Sequence, residues 1–435
     1  MPPTDCIAPA FRFREHPLRR ALADEVHARP YEYLCPPVRV SHLAVPVGDQ
    51  PPGAWRTHVE ALCAHFEVPP PPPGAIHFAA DFGAFRLRWE RHTEFSTYTF
   101  HRFGAFDAPF AETALDLAPT DWLAELPGQV LVATHVALDD VRRSAEDLTS
   151  MFFGHPLVGC QVVSGAAEAF TDFRVHHDGF GRILVYDRGL THGQAGRLVQ
   201  RLLEIETYRA MALLAFPIAR EVAPQLTRMD DELAEIIQVM GGPAGDDEDR
   251  QLLARLTGLA ALGERLGAHH SFRFSAARAY SALVRKRIEE LREQRIPGLQ
   301  TITEFMGRRL APAMKTVEYT AERHDNLSRR VTRAGDLLRT RVDIALEEKN
   351  RDLLKSMNRR AELQLRLQET VEGLSVVAIS YYLIGLISYI AKGLKAAGLH
   401  FDSDLAPLAA LPVVAGMVAL GVRRLRRAIV STEKH

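Results

Sequence analysis

Gly373 to Ala391 reads GLSVVAISYYLIGLISYIA, nineteen positions without a charged residue. As a helix rising 1.5 Å per residue it would be about 28 Å long, close to the ~30 Å hydrocarbon core of a bilayer. A second stretch, Leu405 to Val422, reads LAPLAALPVVAGMVALGV and again carries no charge. Buried core helices also have this composition, but these two runs lie together and are bounded sharply by charge. The pattern therefore predicts a transmembrane hairpin over 373–422, with spans at 373–391 and 405–422.

The flanks predict its orientation. Arg423, Arg424, Arg426 and Arg427 follow the second span and begin a basic tail, 423–435, of the kind retained on the cytoplasmic side. The connection KGLKAAGLHFDSD carries two lysines and two aspartates, and Lys392 and Lys395 weaken the asymmetry without reversing it. Both termini are expected in the cytoplasm and the short loop outside.

The first span has two unlike sides. At 100° per residue, Ser375, Ala378, Tyr381, Tyr382, Gly385, Ser388 and Tyr389 share one arc, with Leu374 intruding. Opposite lie Val376, Ile379, Leu383, Ile384, Leu386, Ile387 and Ile390, with Ser380 among them. Hydroxyls facing lipid lose hydrogen bonds, so the small-and-hydroxyl face should turn toward protein or water. Two readings stay open: helix packing, with Pro412, Gly416 and Ala419 as the matching small face, or the lining of a pore shared by several copies. Neither span contains Asp, Glu, Lys, Arg or His, which argues against a proton relay.

Before the spans, 326–372 reads as a stalk helix with no proline and one glycine, Gly335. Leu327, Val331, Ala334 and Leu338 form a 4-3-4 seam that EEKN interrupts and Leu353, Met357, Leu363, Leu367 and Val371 resume. Nothing forces an end before the bilayer, so stalk and first span are expected to be one helix. A stripe this thin must pack on the same chain or on further copies, and a homo-oligomer is expected.

The remainder is soluble in character. The 435 residues are 47% hydrophobic and 25% charged, with 53 basic and 54 acidic side chains, a balance that gives no pull toward nucleic acid. Residues 1–190 read as a mixed, mainly antiparallel α+β (or α/β) domain, with strands at Val38–Val47, within Ala75–Phe103, and at Gln129–Leu138, Leu157–Val163 and Ile183–Tyr186. Pro69 to Pro73 read as a stiff connection. Residues 191–325 read as a helical layer, with breaks expected at Pro217, at GGPAGDDED, between Gly267 and Ser275, and at Ile296-Pro297-Gly298. Cys6, Cys35, Cys63 and Cys160 form no Cys-x-x-Cys pair, and the N-terminus has no secretory core, which fits a reducing cytoplasm.

No phosphate loop, dinucleotide fingerprint, nucleophile elbow or zinc-protease helix occurs. His16, His27 and His176-His177-Asp178 are the tempting histidines, and each reads more simply as a turn or loop. No catalytic residue, metal site or cofactor is assigned, and an enzyme is not expected.

His16-Pro17-Leu18-Arg19, Glu25-Val26-His27-Ala28-Arg29-Pro30, and Val371-Glu372-Gly373-Leu374-Ser375-Val376-Val377 running into Tyr381-Tyr382 resemble a family of uncharacterised bacterial membrane-anchored proteins. That family carries a domain of unknown function, so the resemblance implies a bacterial plasma-membrane location and no activity. The architecture also resembles CorA-type magnesium transporters, where the stalk helix runs into the first span and five copies build the pore. The Gly-Met-Asn tripeptide of that family is replaced here by Tyr389-Ile390-Ala391-Lys392-Gly393, which removes the basis for magnesium selectivity. The expected functions are an oligomeric ion transporter or channel of CorA-like build, or a binding or scaffold protein that the hairpin only tethers to the bilayer.

Overall fold

Period-two alternation organises the first half of the chain. The computed structural model describes residues 14–20, 22–23, 31–48, 50–51, 53–242, 245–396 and 405–432. Cys6, the string Glu25–Pro30 with His27, the connection 397–404 and the end of the tail lie outside the described residues, as do the side chains of Lys395, Arg426 and Arg427.

The strands are β1 (Val38–Pro46), β2 (His77–Asp81), β3 (Arg86–Arg91), β4 (Phe95–Phe103), β5 (Val132–Asp139), β6 (Val158–Val162), β7 (Ala167–Thr171), β8 (Gly181–Asp187) and β9 (Gln294–Arg295). They form a single sheet in the order β2-β3-β4-β1-β5-β8-β7-β6-β9. Every pair is antiparallel except β5–β8. The expected α+β class with a mainly antiparallel sheet is what the fold shows. Strand β7, AEAFT, was not expected, because two alanines and a glutamate give it little strand character in isolation.

The helices are α1 (Ala54–His65), α2 (Thr120–Ala124), α3 (Ala145–Met151), α4 (His192–Leu213), α5 (Ala215–Met240), α6 (Asp246–Leu291), α7 (Ile302–Ala396) and α8 (Leu405–Thr432). Thr191 starts α4 with a capping box: its hydroxyl accepts from the Gln194 amide at 3.3 Å, and its own amide donates to the Gln194 side chain at 2.9 Å. Pro217 falls in the first turn of α5, where a missing N–H costs nothing; the break lies just before it, at Leu214. The break expected between Gly267 and Ser275 is absent, and α6 is one helix of 46 residues. AHHSFRF contains no proline, and the buried stripe Leu259, Leu266, Phe274, Ala277 continues through it.

The sheet has a core on each face. One consists of Val38, Val40, Val136, Leu138, Ile183 and Val185 against Leu198, Val199 and Leu202 of α4, with Phe274 and Ile288 of α6 and Ile302 and Met306 of α7 behind them. Across the sheet, Leu87, Trp89, Tyr98 and Phe100 pack on Trp55, Val59 and Leu62 of α1 and on Trp122. Each of these large side chains contributes about 2–3 kcal/mol by leaving water. Pro69 to Pro73 connect α1 to β2, and the Arg56 guanidinium donates to the carbonyls of Pro71 and Pro72 at 2.7 Å each.

The chain divides into two units, Met1–Gly241 with Ala254–Ala334, and Gly242–Leu253 with Gly335–His435. Helix α7 contributes to both. The expected stalk is therefore the middle of a longer helix that begins 24 residues earlier, at Ile302 rather than 326, and continues through the apolar stretch. Leu327, Val331, Ala334 and Leu338 are buried, as their seam predicts, whereas residues 346–371 are exposed throughout. Among the described residues, α7 is the one helix long and apolar enough to cross a membrane. The second uncharged stretch is helical, within α8. With the connection outside the described residues, what stands of the expected hairpin is its two helices and the single apolar span in α7.

Candidate ligand-binding site on the sheet

Half of the sheet face beneath α4 is polar. On β5 to β8 this face carries valine, isoleucine and alanine, but on β3, β4 and β1 it carries Arg88, Glu90, Thr97, Thr99, His101 and His42. The register sets three of them in one rung: Arg88 opposes Thr99, and Thr99 opposes His42. The neighbouring rungs place Glu90 beside Thr97 and Arg86 beside His101. The floor is buried: Arg88, His42, Thr97, Thr99 and His101 are each under one tenth exposed. Gln200, Leu203, Glu204, Thr207 and Tyr208 of α4 roof it, and the space between holds about 50 Å³, room for a few waters or one small polar group.

His42 is held at both ends. Its Nδ1 lies 2.9 Å from Thr99 Oγ1 and its Nε2 lies 3.1 Å from Thr207 Oγ1. Burial pushes its pKa down to about 3, so at neutral pH it is an uncharged imidazole with one N–H and one lone pair. His101 is likewise pushed down to about 3, by burial first and then by the Arg88 charge. Arg88 is steadied by Glu90 at 2.7 Å, and Glu204 accepts from Gln200 at 2.8 Å and from Arg287 of α6. Two polar atoms of the floor, Thr97 Oγ1 and His101 Nδ1, are buried without a hydrogen-bond partner. Leaving such atoms unpaired costs about 1–3 kcal/mol each, and the adjoining space has room for water or one small polar group to pair them.

The arrangement offers neutral imidazoles, hydroxyls, carboxylates and one guanidinium to whatever occupies the space. Imidazoles with pKa values near 3 are uncharged at neutral pH, and the carboxylates of Glu90 and Glu204 share the space with them. The sequence does contain the signal: polar residues at every second position of β3 and β4, between Trp89, Tyr98 and Phe100. In a two-stranded reading the polar side is the solvent side, and only α4 laid across it makes it a pocket.

A second polar cluster lies in the loops after α3 and between β7 and β8. His176, part of the loop between β7 and β8, turns inward and meets Asp172 and His155; the donor atoms of the three lie within 4.8 Å of one another. His177 is exposed, and Asp178 pairs with Arg182 at 2.9 Å. His16 is exposed, with Nδ1 accepting from the Leu18 amide at 3.2 Å. Cys35, Cys63 and Cys160 are free thiols.

The residues selected in the apolar stretch all lie on α7. Tyr381, Tyr382 and Tyr389 are exposed at 74%, 76% and 78%, with the first two rings edge to face at 6.0 Å. Ser375, Gly385 and Ser388 are half-buried, and Ser375 Oγ donates to the Val371 carbonyl at 2.8 Å. The buried positions are Ser380 and Ala391, in a stripe with the partly covered Val376, Ile384 and Ile387. Helix α8 carries a comparable stripe at Ala410, Val414, Val418 and Val422, and Arg423 and Arg424 just beyond it are exposed.

No curated protein and no solved structure matches the chain, and the likeness to CorA-type transporters finds no support. One family model covers residues 14–429, almost the whole chain, and the protein belongs to that family, described as a protein of unknown function (DUF3422).

Proposed function

We propose that the chain is an integral membrane protein whose two C-terminal helices tether a soluble body that binds a small polar ligand on the β3-β4-β1 floor. The observation that carries this reading is the buried polar floor with its two unpartnered atoms, Thr97 Oγ1 and His101 Nδ1. The tether is supported by α7, in which one uninterrupted helix includes both Ile302 and Met306 of the soluble core and the uncharged stretch 373–391. The stripe through Ser380 and Ala391 on α7 and the stripe through Val414 on α8 have the spacing of two helices that cover each other, which supports a hairpin over 373–422. With the arginines from Arg423 onward on the cytoplasmic side, both termini face the cytoplasm and the lipid bilayer is the first partner.

A second reading, an oligomeric channel, is favoured by one observation. Tyr381, Tyr382 and Tyr389 point away from the chain's own helices, and three phenols facing lipid would lack partners that neighbouring copies or a pore would supply. Exposed Leu353, Met357, Leu363 and Leu367 also suit contact between copies.

Native mass spectrometry of the full-length protein released from detergent tests both readings at once. The tethered binding protein is expected to carry a small-molecule adduct that Thr97→Val with His101→Phe removes. A stoichiometry of four or more without any adduct would replace it with the channel. A bare monomer would sink both.

A further inference from the structure

We propose that His155, Asp172 and His176 form a binding site for a divalent transition-metal ion of the zinc class, separate from the polar floor. Two segments converge to make it: His155 follows α3, and Asp172 and His176 both lie in the loop between β7 and β8. Asp172 Oδ2 lies 2.8 Å from His155 Nδ1 and 3.2 Å from His176 Nε2, and Oδ1 lies 3.3 Å from the latter nitrogen. Ligands held about 2.0–2.1 Å from a tetrahedral zinc are about 3.3 Å apart, so the carboxylate stands near that separation from both rings, and all three donors lie within 4.8 Å of one another.

The backbone fixes each donor. Asp172 Oδ1 accepts from the Arg174 amide at 3.1 Å, which sets the carboxylate plane. The His176 amide donates to the Phe180 carbonyl, and its own carbonyl accepts from Gly179, both at 2.9 Å, closing the loop around the ring. The His155 amide donates to the carbonyl of fully buried Phe152 at 3.0 Å. The set is thus held by tertiary structure rather than by a flexible loop.

Charge gives an independent reason. The Asp172 side chain is 0% exposed and that of His176 1%, yet among the described residues no lysine or arginine pairs with this carboxylate. A carboxylate buried this fully, with only imidazole nitrogens against it, is a place where a bound cation is favoured, because burying a charge without compensation is costly. A divalent cation would take one carboxylate oxygen of Asp172 and one ring nitrogen from each histidine, the three donor atoms that already lie within 4.8 Å of one another. Two nitrogen donors and one oxygen suit zinc and its first-row neighbours better than calcium or magnesium. The His155 side chain is one third exposed, so the fourth position opens toward solvent, as in sites that keep a water or an exogenous ligand.

The experiment is titration of tag-free full-length protein in detergent with Zn²⁺ against a chromogenic chelator. One tightly bound equivalent is expected, weakened at least tenfold by His155→Ala and by Asp172→Asn, and unchanged by His177→Ala at the exposed neighbour. Because exposed Cys35 also has affinity for zinc, Co²⁺ replaces Zn²⁺ in a second measurement. Visible ligand-field bands without a thiolate charge-transfer band are expected, and they should vanish in His155→Ala. Less than one equivalent, an affinity indifferent to His155→Ala, or a thiolate band would overturn the site. Such a result would leave the three side chains as a hydrogen-bond relay.

Discussion

The His42 imidazole reaches the Thr207 hydroxyl at 3.1 Å and so joins the middle of the sheet to the helix above it. The ring is kept neutral there, because an imidazolium would be stripped of water and would face the Arg88 charge. Burial holds His42 and His101 near 3 and His135 near 4, against an ordinary value of 6.5. Between those limits the unfolded chain takes up protons that the folded chain refuses. Stability therefore rises with pH across this window and is lost as pH falls below about 6.5, by up to ~1.4 kcal/mol per pH unit for each histidine. Melting of the full-length protein in detergent from pH 7 to pH 5 should show a steep loss. His42→Gln, which does not titrate, should flatten the slope; an unchanged slope would mean that other groups govern acid unfolding.

Gly196 of α4 passes so close to the chain before β1 that an added Cβ would lie 1.6 Å from the Glu32 carbonyl oxygen. The obstacle is backbone, which cannot rotate aside. Gly196→Ala should force α4 off this segment, at a cost of about 3 kcal/mol, and open the roof of the polar floor. At Gly193, one turn earlier, the nearest atom is the end of the Arg197 side chain at 3.4 Å, so Gly193→Ala should be close to neutral. Thermal melting of the two variants side by side separates a specific close approach from a general dislike of substitution in α4.

His58 of α1 and Trp122 of α2 bond reciprocally: Trp122 Nε1 donates to the His58 carbonyl at 2.7 Å, and His58 Nε2 donates to the Trp122 carbonyl at 2.8 Å. Their rings stack with centroids 4.1 Å apart. Trp122→Phe keeps most of the apolar contact and removes one bond, while the His58 carbonyl keeps its place in the backbone ladder of α1. The expected destabilisation is about 0.5–1.5 kcal/mol, read as a lowered melting temperature with the oligomeric state unchanged.

The sequence declares those parts of this fold that depend on local pattern. Gly373 to Ala391 is legible because nineteen uncharged residues in a row are unusual anywhere, and Val38 to Pro46 because β-branched residues cluster in a short run. Contacts between distant segments are not legible. His42, Arg88 and His101 look like the solvent side of ordinary strands until α4, about a hundred residues later, covers them. Asp172 is unremarkable beside His176-His177, and its two imidazole partners come from opposite sides of it in the chain. The uninterrupted α6 was obscured by the absence of an obvious apolar repeat in AHHSFRF, where a buried phenylalanine, Phe274, carries the stripe across.

Ser380 distinguishes packing from pore lining in the apolar stretch. It is 7% exposed on a helix whose tyrosines are three-quarters exposed, and its steps to Val376, Ile384, Ile387 and Ala391 are those of a single helical face. If that face meets α8, a small side chain is needed there so that the two backbones can approach. Ser380→Leu should then push the helices apart, and a disulfide engineered between the spans should form more slowly in membranes. Tyr382→Leu, on the outward side, should leave that crosslinking unchanged in a tether but should reduce ion flux into liposomes if copies assemble around a pore. Slower crosslinking in Ser380→Leu with flux absent from both variants and from the parent protein would favour the tether. Flux that Tyr382→Leu abolishes would favour the channel, with Ser375, Tyr381, Gly385, Ser388 and Tyr389 as the next residues to replace.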